Sequence, residues 1–157
     1  MLTVLIPIKC AGGITFYSEK FLLQEIFMKT KKKVLIGILA VPLFLILFEI
    51  FGMIINHAST GIQTKRLRHD IVDTLRNTEI ISVESETGNT SGTGNHVDCL
   101  TQITFTSDLS LSDVQDKFDD TYKWDDFNCY IEETDKAGEY LFYLRKRAPF
   151  ADNIEGH

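Results

Sequence analysis

The apolar positions of this chain fall into two regimes. Residues 34–55, VLIGILAVPLFLILFEIFGMII, are almost continuously apolar and carry one charge, Glu49. Downstream, apolar residues recur at short intervals and alternate with polar ones. The first regime fits a bilayer, whose hydrocarbon core of about 30 Å takes about 20 helical residues. Lys29, Lys31, Lys32 and Lys33 crowd its N-terminal end, whereas Lys65, Arg66 and Arg68 lie well beyond the other. The basic excess stays inside, so the N-terminus is expected in the cytoplasm and the C-terminal domain outside the cell.

The apolar run exceeds the roughly 7–15 residues of a cleaved signal peptide. The nearest cleavage candidate, Asn56-His57-Ala58, lacks a small residue at its first position, and no lipid-attachment cysteine follows the run. A retained signal anchor is the expectation. Pro42 removes a backbone donor and is expected to kink the span. Glu49 is expensive in lipid. It reads either as a contact with another membrane protein or as a protonated or headgroup-seeking carboxylate.

Met28-Lys-Thr-Lys-Lys-Lys-Val-Leu-Ile has the basic-then-apolar opening of many bacterial signal segments. Gln24-Glu25 can be encoded CAG-GAG, which contains a ribosome-binding AGGAG one short spacer before Met28. The expected start is therefore Met28, with residues 1–27 a mis-assigned leader. The domain reading follows: 28–33 a basic cytoplasmic flank, 34–55 the transmembrane anchor, 56–148 an extracytoplasmic α+β domain and 149–157 a polar tail.

In the domain, Thr64, Leu67, Ile71, Leu75 and Thr78 recur at three-to-four spacing and predict a helix over 60–77, continuing nearly straight from the membrane segment with Gly61 as the joint. Residues 79–86 read as a strand with Ile81 and Val83 on one face. The stretch 87–95 is a flexible loop by composition. Val97, Cys99, Thr101, Ile103 and Phe105 alternate against Asp98, Gln102 and Thr104, with Leu100 out of phase, predicting a half-buried strand over 97–106. Ser110-Leu-Ser-Asp113 opens a second helix whose inner side is Leu111, Val114, Phe118 and Tyr122. Residues 126–134, with Phe127, Cys129 and Ile131 on one face, and 139–146, with Tyr140, Phe142 and Leu144 inward, form a hairpin about Asp135–Gly138. The order α-β-β-α-β-β predicts two helices on one face of a four-stranded, mostly antiparallel sheet, a two-layer α/β sandwich.

Charge narrows the function. The whole chain carries a formal −6. From residue 56 onward ten Lys/Arg stand against nineteen Asp/Glu, a net of −9. An acidic module argues against binding nucleic acid or anionic lipid, both of which need a positive surface. The expected partners are the lipid bilayer and another membrane or envelope protein.

Candidate chemistry is thin. Cys99 and Cys129 face inward on separate strands. They are either a disulfide, which outside the cell would stabilise by about 3–4 kcal/mol, or two buried thiols. The loop Gly88–His96 lacks the Gly-Lys-Ser/Thr ending of a phosphate cradle and joins two strands. His96 and Asp98 start a strand on one side, but no third ligand accompanies them. The acidic series Asp113, Asp116, Asp119, Asp120, Asp125 and Asp126 lacks the alternating calcium-loop pattern and reads as a solvated helix face. No metal and no cofactor is expected. Three functions remain: a non-catalytic interaction or regulatory module; a small tethered envelope enzyme built on Gly88–His96 and Asp98; and an accessory subunit of a membrane complex, contacting its partner through Pro42 and Glu49.

Overall fold

The computed structural model describes the backbone of residues 5–10, 13–92 and 94–156, and the side chains of 24–92 and 94–156. The chain divides into two compact units, Met1–Leu47 and Phe48–His157. In the first, β1 (Leu5–Cys10) and β2 (Gly13–Ser18) form an antiparallel hairpin, an element the sequence reading did not assign. It leads into a long helix, α1 (Glu19–Thr74). Lys29 pairs with Glu25 one turn earlier at 2.6 Å, and the Lys31 ammonium sits 4.3 Å from the centre of the Phe27 ring. From Val34 onward the apolar side chains point outward all round. This helix is long and apolar enough to cross a membrane, and its most apolar window is 0% buried. A helix apolar on every side finds no partner in water but is at home in lipid, where its internal hydrogen bonds satisfy the backbone. Pro42 lies inside α1 without ending it. The expected joint, Gly61, is likewise mid-helix.

The second unit carries the rest of α1 and a four-stranded antiparallel sheet in the order β3-β4-β6-β5. Its strands are β3 (Ile80–Gly88), β4 (Asp98–Thr106), β5 (Cys129–Glu133) and β6 (Glu139–Arg147), with α2 (Leu111–Asp116) between β4 and β5. The expected α+β order is present. Helix α1 stops where Asn77 turns left-handed (φ 56°), a conformation that asparagine tolerates better than most residues.

The inner face of the sheet is the core. Leu67, Ile71 and Leu75 of α1 pack with Ile103, Phe105, Ile131, Tyr140, Phe142 and Leu144. Val114, Phe118 and Tyr122 close over them, the Phe118 and Tyr122 rings meeting Phe142 edge-on at 5.5 and 5.1 Å. Fully burying side chains of this size stabilises by about 1.5–3 kcal/mol each. Ser110 caps α2, accepting the Asp113 amide at 3.3 Å. The helix is shorter than its apolar spacing predicts: after Asp116 the chain continues in turns, Phe118 N donating to Gln115 O and Tyr122 N to Phe118 O.

Three expectations need correction. Phe127 is 74% exposed: it caps a tight turn in which Asp125 and Cys129 exchange backbone hydrogen bonds, so β5 begins two residues later than the alternation implies. Val83 lies on the inner face opposite Ile103 but is exposed on the edge strand, and Ile81, also exposed, falls at a bulge between Ile80 and Ser82 that breaks the alternation there. Residues 149–156 are not a free polar tail but a packed segment ending in a one-turn 3-10 helix, Ile154–Gly156.

Candidate functional site

The α1 face toward the sheet changes character along its length. Leu67, Ile71 and Leu75 reach the apolar core. One to four turns earlier the same face is polar or small: Gly52, Asn56, Thr60, Gln63 and Thr64. Thr60 and Thr64 meet Thr87 and Thr101 hydroxyl to hydroxyl at 2.7 and 2.9 Å. Gln63 Nε2 donates to the carbonyls of Cys99 (2.9 Å) and Leu144 (3.1 Å), tying α1 to β4 and β6.

Further toward the apolar stretch, the C-terminal segment lies against α1. Asn56, fully buried, clamps the Phe150 backbone from both sides: its Nδ2 donates to Phe150 O (2.9 Å), and its Oδ1 accepts from Phe150 N (3.0 Å). The Phe150 ring packs edge-on against Phe48 and Phe51 with centroids at 5.9 and 6.0 Å. Gly52 makes the room: a Cβ there would lie 3.3 Å from the Cβ of Phe150. Glu49 Oε2 accepts the Ile154 amide at 3.1 Å, and His57 Nε2 meets Glu155 Oε1 at 2.7 Å. The carboxylate singled out from sequence as a partner contact is thus engaged within its own chain. Pro42 lies outside this contact set, on the exposed part of α1.

The same segment holds the glycine loop. Val97 N donates to Ala151 O (2.8 Å), Ala148 N to Val97 O (2.9 Å), and Asn89 Nδ2 to the carbonyls of Gly94 (2.7 Å) and Gly156 (3.3 Å). Gly156 lies so close to the loop that a Cβ would meet the His96 carbonyl carbon at 2.9 Å. The loop expected to be flexible is stitched down at both ends. It does bring His96 and Asp98 together at 3.5 Å, with Ser91 Oγ 3.4 Å from the imidazole and Thr90 Oγ1 donating to Asp98 at 3.4 Å. Both Ser91 and Asp98 approach the same nitrogen, Nε2. A nucleophile relay needs them on opposite nitrogens, so that the carboxylate orients the ring while the other nitrogen takes the hydroxyl proton. The cluster is a polar knot at a loop base.

Cys99 and Cys129 are both buried and free, the second of the two readings open from sequence. Their strands flank β6 on opposite sides, with Cys99 opposite Lys146 and Cys129 opposite Leu144. Two strand spacings separate them by roughly 10 Å, beyond the roughly 7 Å Cα limit for a bridge. Burial pushes the Cys129 thiol up to about 11, leaving it protonated at neutral pH. Among the described residues no group of three or more His, Cys, Asp or Glu side chains is placed to hold a metal.

A cleft of about 240 Å³ opens between α1 and the 121–122 turn, with Leu144 and Lys146 among its lining residues. Tyr122 borders it and donates to Asp70 at 2.6 Å; burial first, then that hydrogen bond, raises its pKa above the ordinary tyrosine value. Asp125 is held below the usual carboxylate range by the Phe127 amide and the Asn128 side chain. Cleft and turn bear Arg66, Lys123, Arg145 and Lys146, a basic spot on an acidic domain.

The outer face of the sheet is covered by neither α1 nor α2. The strand registers lay out its rows: Glu84, Gln102, Tyr143 and Tyr130 in one; Glu86, Leu100 and Arg145 in the next; Thr104, Leu141 and Glu132 on the other side. Tyr130 and Tyr143 stack at 4.7 Å with their rings 11° from parallel. None of these outer residues announced itself in the sequence except by alternating with the core positions. Comparison with family models, curated proteins and solved structures returned no match.

Proposed function

We propose that this chain is a single-pass, membrane-anchored bacterial envelope protein, with its N-terminus in the cytoplasm and an acidic extracytoplasmic domain acting as a non-catalytic interaction or regulatory module toward another envelope protein. The observation that carries the reading is the outer sheet face. It presents a stacked tyrosine pair with Leu141 and Gln102, ringed by Glu84, Glu86, Glu132 and Arg145, on a domain whose core lies on the opposite face of the sheet. Half-buried aromatics inside a polar rim are the composition of a recognition surface. Helix α1 supplies both the anchor and a core face, which favours a domain held close to the membrane.

Two measurements test it. Protease added to intact spheroplasts is expected to digest the domain while sparing the Lys29–Lys33 flank; a protected domain would reverse the orientation. A photo-crosslinker at Tyr143 is expected to capture a membrane or envelope protein that the same label at Asp116, on the helical side, does not, and Glu84→Lys is expected to weaken that capture. Equal labelling from both positions would remove the outer face as the binding surface. The Ser91–His96–Asp98 geometry gives the enzymatic reading no comparable support.

A further inference from the structure

The C-terminal segment docks on a part of α1 that lipid must also reach. Val34–Leu47 are 14 residues, covering about 21 Å at the standard helical rise. That is about 9 Å short of a hydrocarbon core of about 30 Å, so the next six residues, Phe48–Met53, lie in the core or at its edge. These are the residues that hold the tail: Phe48 and Phe51 flank the Phe150 ring, Gly52 makes room for it, and Glu49 accepts from Ile154 N.

From this we infer that residues 149–156 form a membrane-interfacial wedge, with Phe150 and Ile154 seated among the lipids of the leaflet on the domain side. The inference rests on the anchor reading above. Two further observations support lipid as the occupant. Ile154 is an apolar side chain of the tail left 64% exposed. Several of the tail's backbone groups are also satisfied within the chain: Phe150 N and O by Asn56, Ala151 O by Val97, Ile154 N by Glu49, Glu155 N by the Asn153 side chain and Gly156 N by Asn153 O.

Single tryptophans test this in the full-length chain, reconstituted in phosphatidylcholine–phosphatidylglycerol vesicles with brominated acyl chains, the Trp124 signal being subtracted with unsubstituted protein. Leu45→Trp probes the span and Ile154→Trp the wedge; both side chains are exposed, so neither change disturbs packing. The wedge predicts that both added signals are blue-shifted and quenched, Ile154→Trp most by bromines placed high on the chain. Quenching at Leu45 with a water-like, unquenched signal at Ile154 would overturn the wedge and leave the anchor standing. No quenching at either would overturn the anchor and the wedge with it.

Discussion

Asn56→Ala isolates the clamp on the C-terminal segment. The side chain is fully buried and makes two hydrogen bonds to one residue, at 2.9 and 3.0 Å. Each is worth about 0.5–1.5 kcal/mol net, and burying Phe150 N and O without partners costs at least as much. A change of about 2 kcal/mol in local opening multiplies the open fraction by about 30, since 1.4 kcal/mol is tenfold. The assay is hydrogen exchange of the full-length protein in lipid nanodiscs, read on peptides covering 148–156. Faster exchange by that factor is expected at Phe150, Ile154 and Gly156, while β4 and β6 keep their protection. Asn56→Asp, which retains the acceptor for Phe150 N and loses the donor, should fall between. Unchanged exchange in the tail, or an equal rise throughout the sheet, would refute a locally clamped segment.

Phe142→Ala removes the ring on which Phe118, Tyr122 and Trp124 converge and should destabilise by about 3–5 kcal/mol, read as a lower midpoint in denaturant. Mass analysis without reductant should find Cys99 and Cys129 both alkylatable once unfolded and inert in the native protein at pH 8, the Cys129 thiol being held protonated to about pH 11. Tyr122 has its folded pKa raised by burial and Asp70, so the unfolded chain loses that proton first. Its contribution is complete below pH 10 and declines as pH rises above it, and Tyr122→Phe should flatten that alkaline decline in thermal melts. Glu49→Gln should keep the tail docked through its amide oxygen, whereas Glu49→Leu should release Ile154 N and raise exchange at 154–156; loss of a co-purifying protein with unchanged tail exchange would instead mark Glu49 as a partner contact.

What the sequence showed and hid follows from the range of the interactions involved. Leu67, Ile71 and Leu75, or Ile103 and Phe105, are legible because each repeats the period of its own element, and period is a local property. The same holds for Ser110, whose cap spans three residues. The docked tail was not legible. Phe150 finds Phe51, and Asn56 finds Phe150, across most of the chain, and nothing in FADNIEGH by itself distinguishes a packed segment from a frayed end. One signal was available: Gly52, Asn56, Thr60 and Thr64 recur every fourth residue, a small or polar stripe down a helix otherwise apolar or charged, which marks a face approached closely by something else. The choice between the two cysteine readings was hidden for a related reason. Both faces were read correctly, but strand order is decided by pairing, and β6 inserts between β4 and β5. Phe127 was misplaced because Asp125 and Asn128 build a turn that outweighs a two-residue alternation.

The apolar stretch and the domain make opposing demands on the segment Phe48–His57. Lipid favours outward apolar side chains and no charge; the domain needs polar groups that can grip a chain segment. The two are reconciled by direction around the helix. Ile50 and Ile54 are exposed, whereas Gly52 and Asn56, on another side, are buried beneath the tail. Glu49 stands at the seam. A carboxylate there costs less than the roughly 2.5–3.5 kcal/mol found at a span's centre, because depth falls toward the interface. Its hydrogen bond to Ile154 N offsets part of the remainder and satisfies an amide that would otherwise be stranded in the same apolar surroundings. The single charge that makes the stretch look imperfect as a membrane helix is therefore consistent with its spanning, provided the tail is docked. On the proposed anchor reading, undocking the tail would leave a carboxylate and an amide unpaired in lipid at once, so a membrane would favour the docked state.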